Sequence, residues 1–252
     1  AAARRMVDLL AEARTAPLAD RLIAAHRAGT RIDIGDMAPR THAEAYAIQR
    51  RVSAAFGPVG GFKTGRQGTA PRIIAPIRAD RCLPSGASVQ VSATMGVELE
   101  IGFRVLRPGL AGAPEAEIAR YLQPIAALEL VDTRLSGAAA GDPLAKLADT
   151  QINWGMVVDE VASAWDGADI TCAEARLTCG TDTVLAGSAP VQGGSALQSI
   201  RKALPLLLRH YGPPEPGQII LTGALHPLVW YPAGTELRGE ITGIGRVAAS
   251  FV

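Results

Sequence analysis

Apolar residues fill every odd position of Val97-Glu98-Leu99-Glu100-Ile101-Gly102-Phe103-Arg104-Val105, and charged residues or glycine fill the positions between. Strict period two predicts a strand, because successive side chains of an extended chain point to opposite faces. Glu98 and Glu100 then share a face, with their Cβ atoms about 7 Å apart.

The rest of the chain divides by the same kind of reading. Residues 3–29 predict two helical stretches punctuated by Pro17, with Val7, Leu10, Leu18, Leu22 and Ile23 as the apolar stripe. Thr41-His42-Ala43-Glu44 is a capping box, and Ala45, Ile48, Val52 and Phe56 follow at helical spacing until Gly57-Pro58 stops the helix. Beyond it, strands are predicted over 59–64, 88–91, 97–105, 125–135 and 154–158, with a hairpin around Gly180-Thr181-Asp182. Ser195-Ala196-Leu197-Gln198 caps a second clear helix, carried by Ile200, Leu204, Leu207 and Leu208, kinked at Pro205 and ended by Gly212-Pro213. Strands over 219–222, 237–242 and 246–252 close the sequence. The expected class is α+β: a helical segment, 1–57, and a β-rich body, 58–252, working as one integrated unit.

Composition narrows the function. The 252 residues are 48% hydrophobic and 19% charged with a net charge of +1, which describes a folded globular chain. Without a clustered basic field, and with only 4% aromatic residues, nucleic acid is not an expected partner. No apolar run approaches the roughly 20 residues that a membrane helix needs. Asp8 and Glu12 interrupt the N-terminal stretch, so no signal peptide is read and a cytoplasmic protein is expected. The three cysteines form no CxxC pair and the four histidines no HExxH or HxH, so a metal here would be held by oxygen.

Two carboxylates on one strand face repel unless solvent or a cation intervenes, and a lone ExE is most simply a wet acidic face. A third changes the balance: Glu129 interrupts the apolar run Ile125-Ala126-Ala127-Leu128-Glu129-Leu130-Val131, where a charge is costly unless it is paired, with Arg134 or another arginine, or ligated. Three glutamates suit a hard cation, Mg²⁺ or Mn²⁺, with coordination positions left for water and a chelating substrate. Gly60-Gly61-Phe62-Lys63-Thr64-Gly65-Arg66-Gln67-Gly68 sets a lysine among glycines that allow close backbone approach, without the spacing of a phosphate loop.

Taken in order, Ala45-Tyr46-Ala47-Ile48-Gln49, Gly61-Phe62-Lys63-Thr64-Gly65, Gly96-Val97-Glu98-Leu99-Glu100-Ile101, Ala127-Leu128-Glu129-Leu130-Val131-Asp132-Thr133-Arg134, Leu147-Ala148-Asp149 and Ile220-Leu221-Thr222-Gly223-Ala224-Leu225 resemble the 2-keto-4-pentenoate hydratase and 4-oxalocrotonate decarboxylase group of the fumarylacetoacetate-hydrolase superfamily. The resemblance implies a mixed β-barrel-like body, a homo-oligomer, and a metal on Glu98, Glu100 and Glu129. It implies Lys63 and Asp149 as catalytic groups, with Arg66, Gln67 and the Thr222-Gly223 turn toward a small 2-oxo or 2-hydroxy-dienoic acid. Water addition to give a 4-hydroxy-2-oxo acid is the expected reaction, with decarboxylation, or a binding protein without turnover, as the alternatives. Two stretches depart from the family pattern. Pro71-Arg72-Ile73-Ile74-Ala75-Pro76-Ile77 lacks the acid and the glycine usual there, and Asp149-Thr150-Gln151-Ile152-Asn153-Trp154 is one residue longer than the usual Asp-Asn-Ala-Ser stretch. No histidine or glutamate lies between Lys63 and Glu98 to supply the water-activating pair of the hydrolase branch.

Overall fold

A computed structural model describes residues 2–66, 70–161 and 164–252. The chain forms two compact units, Ala1–Pro58 with Asp132–Asn153, and Val59–Val131 with Trp154–Val252.

The first unit is helical. Its helix α1, Ala2–Ala28, runs unbroken through Pro17, where two stretches are expected from the sequence. A proline inside a helix costs about 3 kcal/mol. The turns that follow bury Leu18 and Leu22 completely, at about 1.5–3 kcal/mol each, which offsets that cost. Helix α2, His42–Ala54, starts where the capping box predicts, with Thr41 Oγ1 accepting from the Glu44 amide at 3.2 Å. The reciprocal bond is shifted by one residue: Glu44 Oε2 accepts from the amide of Arg40 at 2.7 Å. The second segment of this unit adds a short helix α3, Pro143–Ala148, capped by Asp142 and tied to α2 by Gln49 Nε2, which donates to the Leu147 carbonyl at 2.7 Å.

Among the described residues the second unit is built from thirteen strands and one α-helix. The strands are β1 Val59–Gly65, β2 Ile73–Arg78, β3 Cys82–Pro84, β4 Ala87–Val89, β5 Thr94–Val105, β6 Leu122–Val131, β7 Asn153–Val158, β8 Cys172–Cys179, β9 Asp182–Pro190, β10 Ile219–Ala224, β11 Val229–Pro232, β12 Glu236–Ile241 and β13 Gly245–Phe251; helix α4 is Ala196–His210. They make two mixed sheets, one ordered β2-β1-β10-β5-β6-β7-β3 with β11 also on β5, the other ordered β4-β13-β12-β8-β9. Neither closes on itself, so the barrel-like body is a pair of open sheets. Gly239 lets them approach: a Cβ there would lie 2.7 Å from Leu99 Cδ1, a side chain of the other sheet.

Strands β2, β3 and β11 are not among the sequence expectations, for physical reasons. β2 is buried on both faces and carries Pro76, so it shows no alternation, while β3 and β11 are too short to show any. Strand β6 ends at Val131, four residues before the expected boundary, because Asp132 begins the segment that belongs to the helical unit. Among the described residues no helix is long and apolar enough to cross a membrane.

Parallel pairing of β1 with β10, Gly61 opposite Ile219, sets the position of Lys63 two residues on. A Cβ on Gly61 would sit 2.4 Å from the Ile219 carbonyl oxygen and 2.9 Å from Met156 Cε, so Gly61→Ala must push the two strands apart. The expected cost is about 1–3 kcal/mol of stability, read as a lowered midpoint in urea denaturation; an unchanged midpoint would show that the β1–β10 contact is looser than described.

Candidate metal centre

Antiparallel register between β5 and β6 places Glu98 directly opposite Glu129, with Glu100 opposite Ala127. The period-two rule that set Glu98 and Glu100 on one face therefore brings in the third carboxylate from the neighbouring strand. One oxygen from each of the three lies within 4.8 Å of the others. Glu129 is wholly buried, Glu100 is 4% exposed, and Glu98 is half-buried at the open side of the cluster.

Lys63, on β1, forms an ion pair with Glu129 through its Nζ. An ion-pair partner of Glu129 is thus a lysine, where the sequence suggests an arginine; Arg134 is paired with Asp132. Strand β10 runs between β1 and β5, and its register slips between Leu221 and Ala224. At that slip the Gly223 amide donates to Glu100 Oε2 at 3.1 Å. Gly223 holds φ at 145°, and a Cβ there would lie 2.4 Å from the Gln192 carbonyl oxygen, so glycine is required at this point. Thr222 beside it is buried and spends its hydroxyl on the Ile101 carbonyl at 2.8 Å, fastening β10 to β5.

The electrostatics follow from this crowding. Burial, then the charge of Glu129, push Glu98 up to about 7, with the Lys63 ammonium pulling the other way. Burial and the charges of Glu129 and Glu98 raise Glu100 well above the ordinary carboxylate value. Burial by itself would lower Lys63; the charges of Glu129, Glu98 and Glu100 outweigh it and leave the ammonium above its ordinary value. Three convergent, mutually repelling carboxylates form an oxygen-only donor set of the kind a hard divalent cation takes, and Glu98, Glu100 and Glu129 are the residues that fit it.

The other residues singled out in the sequence have different surroundings. Arg66 is exposed at the end of β1, its Nε donating to the Ala70 carbonyl at 3.1 Å. Gln67 lies outside the described residues. Asp149 belongs to the helical unit, fully buried, where it binds His26 Nε2 at 2.8 Å, accepts from the Arg134 amide at 2.8 Å and from Thr133 Oγ1 at 3.4 Å. The lengthened stretch after it turns left-handed, with φ of 50°, 53° and 53° at Thr150, Gln151 and Ile152. Bonds from the Ile152 amide to the Asp149 carbonyl (2.8 Å) and from the Asp132 amide to the Ile152 carbonyl (3.0 Å) hold it there.

His226 has a role that its solitary place in the sequence does not signal. The Leu99 amide donates to its Nε2 at 2.9 Å and its Nδ1 lies 2.7 Å from the Pro227 carbonyl. That pair of partners fixes a neutral ring protonated on Nδ1, in keeping with a value lowered by burial. Both nitrogens are engaged with backbone, so His226 pins β5 between the two glutamates rather than carrying protons.

No protein-family model matches the sequence. Solved structures do match the fold. Over 95% of this chain and 97% of the other, it is similar to 4-oxalocrotonate decarboxylase from Pseudomonas putida G7 complexed with calcium and acetate (TM-score 0.78, 20% identity). The same enzyme complexed with magnesium and adipate matches over 94% and 97% (TM-score 0.79, 21% identity). Fumarylpyruvate hydrolase from Pseudomonas aeruginosa, in complex with Mn²⁺ and pyruvate, matches over 76% of this chain and 88% of that one (TM-score 0.57, 14% identity). At these identities the likeness is one of fold, and the fold is the one that the sequence resemblance implies.

The raised carboxylates give a pH dependence of known sign. A carboxyl whose folded value lies above its unfolded one binds protons more tightly when native, so its contribution to stability is lost as pH rises from the unfolded to the folded value. For Glu98 that window runs from 4.5 to about 7. In EDTA the melting temperature of the wild type, relative to that of Glu98→Gln, should fall across this window. Millimolar Mg²⁺ or Mn²⁺ should restore it at neutral pH in the wild type and much less in the variant. Parallel curves with and without the ion would show that the three carboxylates bind no cation.

Proposed function

We propose that this chain is a divalent-metal-dependent lyase that works through the dienolate of a small 2-oxo or 2-hydroxy-dienoic acid. The observation that carries this reading is the convergence of Glu98, Glu100 and Glu129 with the Lys63 ammonium held against them. Burying these groups without a use costs several kcal/mol, and strongly perturbed groups mark functional sites. Glu98, Glu100 and Glu129 would hold Mg²⁺ or Mn²⁺, which supplies Lewis acidity toward the carboxylate and C2 oxygen of the substrate. The calcium, magnesium and Mn²⁺ complexes of the structurally similar enzymes support that choice of ion.

The chain's own chemistry falls to Lys63. Its Nζ is kept protonated by the carboxylates, and once their charge is offset it becomes the better acid. In hydration, the 2-hydroxyl of the dienol gives up its proton to solvent and Lys63 delivers one to the far carbon, giving an unsaturated 2-oxo acid. Water then adds across the remaining double bond, hydroxyl to C4 and proton to C3, to yield a 4-hydroxy-2-oxo acid.

A second reading is favoured by the structural matches: near-complete coverage by a decarboxylase, against about three-quarters by a hydrolase. There the bond to the departing carboxylate breaks, its electron pair enters the conjugated system, CO₂ leaves, and Lys63 supplies the proton that completes the product. Both readings use one dienolate and one lysine.

An ultraviolet assay with Mg²⁺ or EDTA separates them, using 2-hydroxypenta-2,4-dienoate for hydration and a 2-oxo-enedioate with CO₂ detection for decarboxylation. Turnover should require the ion; full turnover in EDTA overturns the metal reading, and ion binding without turnover of either substrate makes the chain a binding protein. Lys63→Met keeps the apolar stem and removes the ammonium, so kcat should fall by about 10²- to 10⁴-fold while Mn²⁺ affinity is retained. Undiminished kcat would remove Lys63 from the proton transfer.

A further inference from the structure

The stretch that departs most from the family pattern contributes an arginine that the metal chemistry does not use. Arg72, just before β2, is half-buried, and its Nη1 donates to Thr64 Oγ1 at 3.2 Å. Thr64 is the residue after Lys63, and its hydroxyl in turn donates to the Ile73 carbonyl. The Arg72 Nε is fully buried and has no hydrogen-bond partner among the described residues. Leaving a buried charged donor unmade costs more than an ordinary hydrogen bond gains, so such an atom needs an acceptor.

A second, independent observation lies beside it. Ser199, on α4, is 1% exposed, and its Oγ is also buried without a partner among the described residues. The two groups converge. A Cβ built on Gly193 would lie 3.5 Å from Ser199 Oγ and 3.9 Å from Arg72 Nη2, so a hydroxyl and a guanidinium flank the same point. The surroundings are positive: Arg66 lies close enough to lower Arg72 further, after burial, and among the described residues no carboxylate pairs with either arginine.

This place connects to the carboxylate cluster through a short run of contacts. Gly193 follows Gln192, whose carbonyl abuts Gly223, whose amide binds Glu100. An extended acid with one end at the glutamates and the other at Arg72 would pass along this wall.

We propose that Arg72 and Ser199 form a subsite for a second carboxylate of the substrate, with Arg66 adding to the field, so that the site prefers 2-oxo dicarboxylic acids to 2-oxo monocarboxylic acids. The guanidinium offers Nε and Nη2 as a fork to the carboxylate, and the Ser199 hydroxyl adds a third donor. The inference rests on the proposed metal reading of Glu98, Glu100 and Glu129 for the other end of the ligand.

The test uses the Mn²⁺-loaded protein, titrated calorimetrically with 2-oxoadipate and with 2-oxohexanoate, which have the same carbon count and differ in the terminal carboxylate. The wild type should bind the dicarboxylate about 10- to 100-fold tighter, as charge-assisted hydrogen bonds require. In Arg72→Gln that ratio should fall close to one, and in Ser199→Ala by about 3- to 10-fold. If Arg72→Gln fails to fold, the wild-type ratio and Ser199→Ala still decide. A wild-type ratio near one, or a ratio untouched by these substitutions, overturns the subsite while leaving the metal reading standing. Failure of Mn²⁺ to bind, measured first and separately, overturns the metal reading and the subsite with it.

Discussion

Repulsion among three carboxylates fixed on one sheet face is the constraint around which this unit is organised. With Glu129 wholly buried, Glu100 nearly so and Glu98 directly across the strand pair from Glu129, the acids cannot all relieve that repulsion by turning into water. The fold answers with positive or donating groups brought from elsewhere in the sequence: the Lys63 ammonium from β1, the Gly223 amide from β10. These require the sheet order β1-β10-β5-β6, and that order in turn requires glycine at 61, where the backbones of β1 and β10 meet too closely for a side chain; glycine at 223 makes room for the Gln192 carbonyl.

Much of this was legible in the sequence because its signals are local. The alternation around Glu98 and Glu100 defines a strand and a face without reference to the rest of the chain, and the Thr41 and Ser195 caps mark two helix starts with single side chains. Glu129 is conspicuous for the same reason, a charge inside an apolar run. What escaped was non-local. The lysine partner of Glu129, the bond from the Leu99 amide to His226 and the convergence of Arg72 with Ser199 each join residues far apart in sequence, and no periodicity encodes them. The β2 strand has no local signature, because burial on both faces removes the alternation that marks a half-buried strand.

Asp149 shows how the same residue type reads differently by context. Its carboxylate is buried like those of the cluster, yet it is surrounded by donors: His26, the Arg134 amide and the Thr133 hydroxyl. Satisfied in this way, it tethers the end of α3 to α1 and steadies the left-handed turn at Thr150–Ile152, whose φ values cost about 1–2 kcal/mol per residue. A buried acid with its lone pairs filled is a brace, while one facing other acids is a vacancy for positive charge.

The parallel join of β1 to β10 also governs the order in which the unit can be assembled. During synthesis the β5–β6 pair, with Glu98 and Glu129 opposed, is complete well before the residues of β10 have been made, so for that interval the acids lack the Gly223 amide and β1 lacks its neighbour on that side. Long-range pairing of this kind is slow and leaves strand edges open while it waits. Cellular yield of this chain should therefore be limited less by the stability of the finished molecule than by how well the nascent sheet is shielded, by chaperone or by early capture of a cation, until its later strands arrive.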